Sequence, residues 1–166
     1  TALGSTLAYL PQQSPFAVAI DTNLDSDQYQ AVDSILGRFP LEAPSVKELL
    51  RDQLTGDDSS VDFEEDVEPI LGNPFVIGAT DVAGFLNSDE TQDFVAAIKA
   101  KDKDALDNLI EKTDPREVGE VAGATKYEDG GTSFAVKDDV VVFAGSSERL
   151  DQALERADGG EHLDED

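Results

Sequence analysis

Apolar residues in this chain gather in two ways: as short continuous runs, and as stripes that recur every three or four positions. Each kind predicts a different element. Phe16–Ile20 (FAVAI) is a continuous run after Pro15 and predicts a buried strand. Residues 21–27 read as a polar turn. Tyr29, Val32, Ile35, Leu36 and Phe39 then share one face at helical spacing. Pro40 and Pro44 interrupt, and Ser45 caps a second expected helix whose face is Val46, Leu49, Leu50 and Leu54, stopped by Gly56. An acidic connector over 57–68 and a turn over 69–74 lead into a strand, Phe75–Ala79.

Residues 81–90 are polar. A strand follows at 94–98, then a helix over 101–112 with Ala105, Leu106, Leu109 and Ile110 inward. Beyond Pro115 three strands are expected, at 122–127, 133–136 and Val140–Ala144, the last two joined by a short hairpin connection. Ser146 or Ser147 caps a final helix with the stripe Leu150, Ala153, Leu154 and Ala157, and Gly159-Gly160 ends it. Residues 1–13, polar with a few apolar residues, read as an entry segment.

These elements predict an α+β fold: a mainly antiparallel sheet of about five or six strands with about four helices packed on it. Strand, polar turn and amphipathic helix succeed one another three times, starting at Phe16, Phe94 and Val140. At 166 residues the chain is long enough for one domain with a real core, expected over 1–160, with 161–166 as a disordered acidic tail.

Charge changes the picture of partners. Asp and Glu number 37 against 12 Lys and Arg, a formal net charge of −25. Such a surface repels phosphate backbones and the anionic face of a bilayer, which excludes nucleic-acid binding as an expected function. The acidity admits three readings: solubility, adaptation to high salt with its short Debye length, or attraction of cations or a basic partner. No apolar run approaches the roughly 20 residues of a membrane span, so no direct insertion is expected. The sequence opens at Thr1 without Met, as an excised or processed chain would.

Candidate chemistry is sparse. There is no Cys and one His, His162, so thiolate chemistry and a His-rich metal centre are excluded. Neither phosphate-loop pattern nor a G-x-S-x-G elbow occurs, and no catalytic residue or cofactor is expected. Asp21-Thr22-Asn23-Leu24-Asp25-Ser26 starts like a calcium loop. It fails where Ser26 replaces the turn glycine and Val32 the bidentate glutamate. What remains is the connector: Asp57, Asp58, Asp62, Glu64, Glu65, Asp66 and Glu68 carry enough oxygen ligands for a divalent cation or a basic protein partner. A solvated charge run is the plainer reading.

Tyr9-Leu10-Pro11 before the Phe16 strand, then Asp62-Phe63-Glu64, Asp66-Val67, Pro69 and Leu71-Gly72, form a pattern that resembles the bacterial DUF3352 family, a domain of unknown function. The run FVAAIKAKDK from Phe94 to Lys103 and the strand from Val140 continue it, while Ile70 stands where that family often has an aromatic. The resemblance implies a secreted or membrane-anchored extracytoplasmic protein and implies no activity. Phe63, Val67, Ile70 and Leu71 are expected to be pinned to a core, with Gly72 permitting the turn. The reading is thus a non-enzymatic extracytoplasmic domain, structural or protein-interacting, with cation or basic-partner binding through 57–68 as the alternative.

Overall fold

The structure, a computed structural model, describes residues 1–11, 14, 16–24, 26, 27, 30, 61–79, 94–129 and 132–159. The sequence reading takes 1–160 as one domain. Contacts gather the chain into two compact units: Thr1–Ile20, Pro74–Lys99 and Pro115–Asp166 form one, and Asp21–Asn73 with Ala100–Asp114 the other. The helices expected at 29–39 and 45–54 and the tail at 161–166 lie outside the described residues, as do Asp57 and Asp58.

The first unit is a seven-stranded sheet, antiparallel at every described pairing. Its strands are β1 (Phe16–Ile20), β2 (Phe75–Ala79), β3 (Phe94–Lys99), β4 (Arg116–Val121), β5 (Ala124–Asp129), β6 (Thr132–Lys137) and β7 (Val140–Ala144), in spatial order β1-β2-β3-β7-β6-β5-β4. The α+β expectation holds, and the strand count is corrected from five or six to seven. The added strand is β4, whose first five residues are all exposed, so no apolar run marks it.

The start of β5 is corrected too. Ala122 and Gly123 are not strand but a two-residue turn, with φ of 52° and 77°. Two successive positive φ values match the right-handed twist of the flanking strands, and Gly123 reaches its own at no steric cost. At the β6–β7 hairpin Asp138 takes φ 56°, and Asp tolerates that region better than most residues.

One face of this sheet carries the core: Val76, Val95, Ala97, Val142 and Ala135 pack with Leu150, Ala153 and Leu154 of a C-terminal helix (Ser147–Gly159). The stripe read from sequence is therefore the buried one. The same core takes in Tyr9 and Leu10, 5% and 0% exposed, from the residues that read as an entry segment. A six-residue helix, α1 (Ala2–Leu7), precedes them. It is too short to show a helical period. Thr1 caps it by accepting from Gly4 N at 3.0 Å, and buried Thr6 returns its hydroxyl proton to the Leu3 carbonyl at 2.8 Å.

In the second unit, Phe63–Val67 forms a π-helical turn and Glu68–Ile70 a 3₁₀ turn, both packed against α2 (Lys103–Thr113). The helix at the C-terminus is α3. Phe63, Val67, Ile70 and Leu71 are buried, as expected of a segment pinned to a core; of the expected helix stripe Leu106 is buried, and Ala105, Leu109 and Ile110 are half-buried. Asp102 caps α2 through Ala105 N at 3.1 Å, and Asp114 ends it in the left-handed region at φ 46°. Gly72 adopts φ 126°, and a Cβ there would sit 2.7 Å from Lys101 Cδ. Its N–H donates to the Thr22 hydroxyl, which in turn donates to the Asn73 carbonyl at 2.6 Å. Among the described residues no helix is long and apolar enough to cross a membrane.

Candidate functional site

The acidic connector is the site that sequence singles out, and its described half is spent on local structure. Asp62 precedes the π-helical turn and accepts from Glu65 N at 3.0 Å. Its own N–H donates to Asp66 Oδ2 at 2.7 Å, so two otherwise orphaned N–H groups are satisfied reciprocally. Asp66 Oδ2 also accepts from Lys112 Nζ at 2.5 Å, which ties the turn to the last turn of α2. Lys112 there also complements the partial negative charge of the helix C-terminus.

The hydrogen bond from Lys112, then that from the Asp62 N–H, hold the Asp66 carboxyl below its usual value. The same bond raises Lys112, helped by the charges of Asp66, Glu65 and Asp62. The depressed Asp66 carboxyl adds stability above its unfolded pKa, and that contribution is lost as pH falls through the lowered folded value.

Glu64 and Glu65 are exposed, and Glu68 is half-buried in the 3₁₀ turn. Among the described residues, no three Asp, Glu, His or Cys side chains come together as a metal ion would require. The connector therefore divides: Asp62 and Asp66 act as cap and ion pair, Glu64 and Glu65 face solvent, and Asp57 and Asp58 lie outside the described residues.

A second polar group, which sequence reasoning passed over, sits in the first unit. Arg149, Gln152 and Arg156 follow one another at helical spacing along one side of α3. They line a shallow depression with room for about one water-sized group, whose other walls are Pro11, Gly78, Phe94 and Val95. Arg156 Nη1 donates to the Tyr9 carbonyl at 3.3 Å. Burial, and then the neighbouring charge of Arg149, lower the pKa of Arg156. In the same unit burial first, then the charges of Asp138 and Asp139, raise the Tyr9 hydroxyl. The sequence signal for the pair was two arginines two helical turns apart in a chain with 12 basic residues. The two arginines lie off the apolar stripe of the helix, so hydrophobic periodicity does not mark them.

Comparison with family models, with curated proteins and with solved structures gives no match to this chain.

Proposed function

We propose that this chain is a non-catalytic domain that works outside the cytoplasm, as a structural or protein-interaction module related to the DUF3352 proteins. The observation that carries the non-catalytic part is the use made of the connector carboxylates: Asp62 and Asp66 hold the π-helical turn against α2. Paired acids of an acid–base catalyst would instead converge on a cleft with their pKa values pushed apart. The sequence pattern around Tyr9-Leu10-Pro11 and Asp62 to Gly72 supports the extracytoplasmic part. A net charge of −25 argues for partners other than nucleic acid.

The test of compartment is protease added to intact cells that express the full-length protein. Degradation without lysis is the expected result, and protection until the cells are lysed would overturn the reading.

The alternative, a module for divalent cations or a basic partner through 57–68, draws on seven carboxylates within that stretch. Thermal unfolding in CaCl₂ against ionic-strength-matched NaCl separates the two. A saturable stabilisation by calcium alone would favour the alternative, whereas an equal, gradual gain with either salt leaves the connector a solvated surface.

A further inference from the structure

β1 has the composition of an interior strand and the position of an edge. FAVAI carries no charged residue, like FVIGA of β2 and VVVFA of β7, and each of those two is paired on both sides. Among the described residues β1 is paired by β2 alone. Its apolar run predicts a buried strand, whereas Ala17, Ala19 and Ile20 are exposed, Ile20 at 49%. The other outer strand, β4, carries a bulge and an ion pair that deter pairing, and its exposed Val118 sits between Glu117 and Glu120. β1 has none of these devices: its register on β2 is unbroken, and it holds neither Pro nor a charge. Its outward N–H and C=O groups form a row with which an extended segment can pair.

We propose that β1 pairs antiparallel with β1 of a second copy of this chain, about a two-fold axis at Val18. The strand is self-complementary, because large and small residues alternate symmetrically about Val18. That axis places Phe16 opposite Ile20 of the second copy, Ala17 opposite Ala19, and Val18 opposite Val18. An axis perpendicular to the sheet keeps Val18 and Ile20 of both copies on one face and Ala17 and Ala19 on the other. Charge selects the occupant. Residues 1–20 hold no charged side chain, so the strand has no carboxylate with which a basic peptide could pair. The net charge of −25 opposes self-association, but the opposition at this edge is weak. The two Asp21 residues would lie roughly 20 Å apart along the strands, beyond the Debye length of about 8 Å at physiological salt. The pairing uses both β1 edges, so assembly stops at two copies. Five residues a side fall short of the roughly 1,200 Å² at which stable interfaces begin, so the dimer is weak, with a Kd of about 0.1–1 mM. The pairing depends neither on the compartment nor on the connector.

The test is sedimentation equilibrium of the chain up to about 1 mM, in about 0.15 M and about 1 M NaCl. A monomer–dimer equilibrium that tightens several-fold in the higher salt is expected. Val18→Lys makes the chain less acidic yet sets two ammonium groups face to face at the axis, so it should weaken the dimer about tenfold or more. Val18→Asp should do the same. Either change also perturbs β1 itself, so the two variants are then mixed: opposite charges at the axis should restore a one-to-one dimer. The conservative Val18→Cys reads the register, since the chain has no other Cys. In oxidised glutathione it should cross-link into a disulfide dimer, and Ile20→Cys, whose copies would lie about 13 Å apart along the strands, should not. A chain that stays monomeric in both salts, or a dimer that neither charged variant weakens, would overturn the proposal. Equal cross-linking of the two Cys variants would overturn the axis at Val18. A monomeric chain whose NMR signals at 16–20 shift with a blocked, Lys-flanked valine–alanine peptide would give the edge to a basic partner instead.

Discussion

β3 and β4 are six residues each and belong to one antiparallel sheet, yet their side chains meet opposite surroundings. In β3 four successive residues, Val95 to Ile98, are buried, so both faces of the strand are dry. In β4 the first five residues are exposed, and only Val121 is half-buried. β3 is paired on both sides, by β2 and β7; among the described residues β4 ends the sheet and is paired by β5 alone. The comparison separates two reasons for a strand to exist. β3 is a strand because its apolar side chains need a pleated, dry environment on both faces. β4 is a strand because the Ala122-Gly123 turn folds it back on β5 and its backbone groups find partners there. Its edge is also protected: a bulge between Glu117 and Gly119 and a cross-strand Arg116–Glu128 ion pair make it a poor template for another chain.

The largest expected effect tests the dry side of that contrast. Val142 is fully buried in β7, paired across to Ala97 of β3 and Ala135 of β6. Val142→Asp places a carboxyl in that core without a partner, at a cost of about 4 kcal/mol or more, a large part of the stability of a domain. Loss of cooperative unfolding in circular dichroism is expected. A folded variant of near-native stability would mean that the core face has been assigned to the wrong set of residues.

β5, between the two extremes, offers a finer test. Lys126 faces the core side with its side chain 10% exposed, where Nζ donates to Ser147 Oγ at 3.0 Å and pairs with Asp151 of α3. Asp151→Ala leaves that ammonium without its counter-charge and should cost about 2–3 kcal/mol, less than for a fully buried pair because Asp151 is partly solvated. Lys126→Met removes charge and partner demand together and should fall within about 1 kcal/mol of the parent. Urea unfolding of both variants decides it. Equal losses would mean that Lys126 matters for its attraction to Asp151, and not for the penalty of being stranded.

The same contrast explains what could be read from sequence. β3, β7 and the stripe Leu150, Ala153 and Leu154 were legible because burial on a regular period leaves a hydrophobic signature. α1 was not, since six residues hold fewer than two turns and its anchor is a threonine, Thr6, bonded to its own backbone. β4 was not, since nothing in REVGEV demands burial. Ala122 reads as strand because alanine seldom adopts a positive φ. At the connector, sequence identified acids but not their use: only geometry shows Asp62 as a cap and Asp66 as the partner of Lys112.

Ala122 supplies the next prediction, smaller and opposite in sign. Its φ of 52° is strained for a residue with a Cβ, while Asn is among the side chains best suited to that region and Asn-Gly the preferred pair for such a turn. Ala122→Asn should stabilise the protein by about 0.5 kcal/mol, part of the gain being offset because Ala122 packs on the core. The carbonyl of Ala122 keeps its bond from Lys137 Nζ at 2.8 Å, so the hairpin geometry is retained. A loss of stability would mean that packing at 122 outweighs backbone strain.

The smallest effect is expected where β4 is barest. Val118 is 41% exposed, and its neighbours Glu117 and Glu120 are exposed acids. Val118→Lys gives up a modest amount of half-covered apolar area, and the favourable charge against two carboxylates acts in the same range, a few tenths of a kcal/mol. The two terms nearly cancel, so the urea midpoint should stay within about 0.5 kcal/mol of the parent. The same substitution at a β3 position would be as damaging as Val142→Asp. A loss above about 1.5 kcal/mol at Val118 would mean that its side chain is covered in solution, and the division between a strand held by burial and a strand held by its backbone would fail at the edge that defines it.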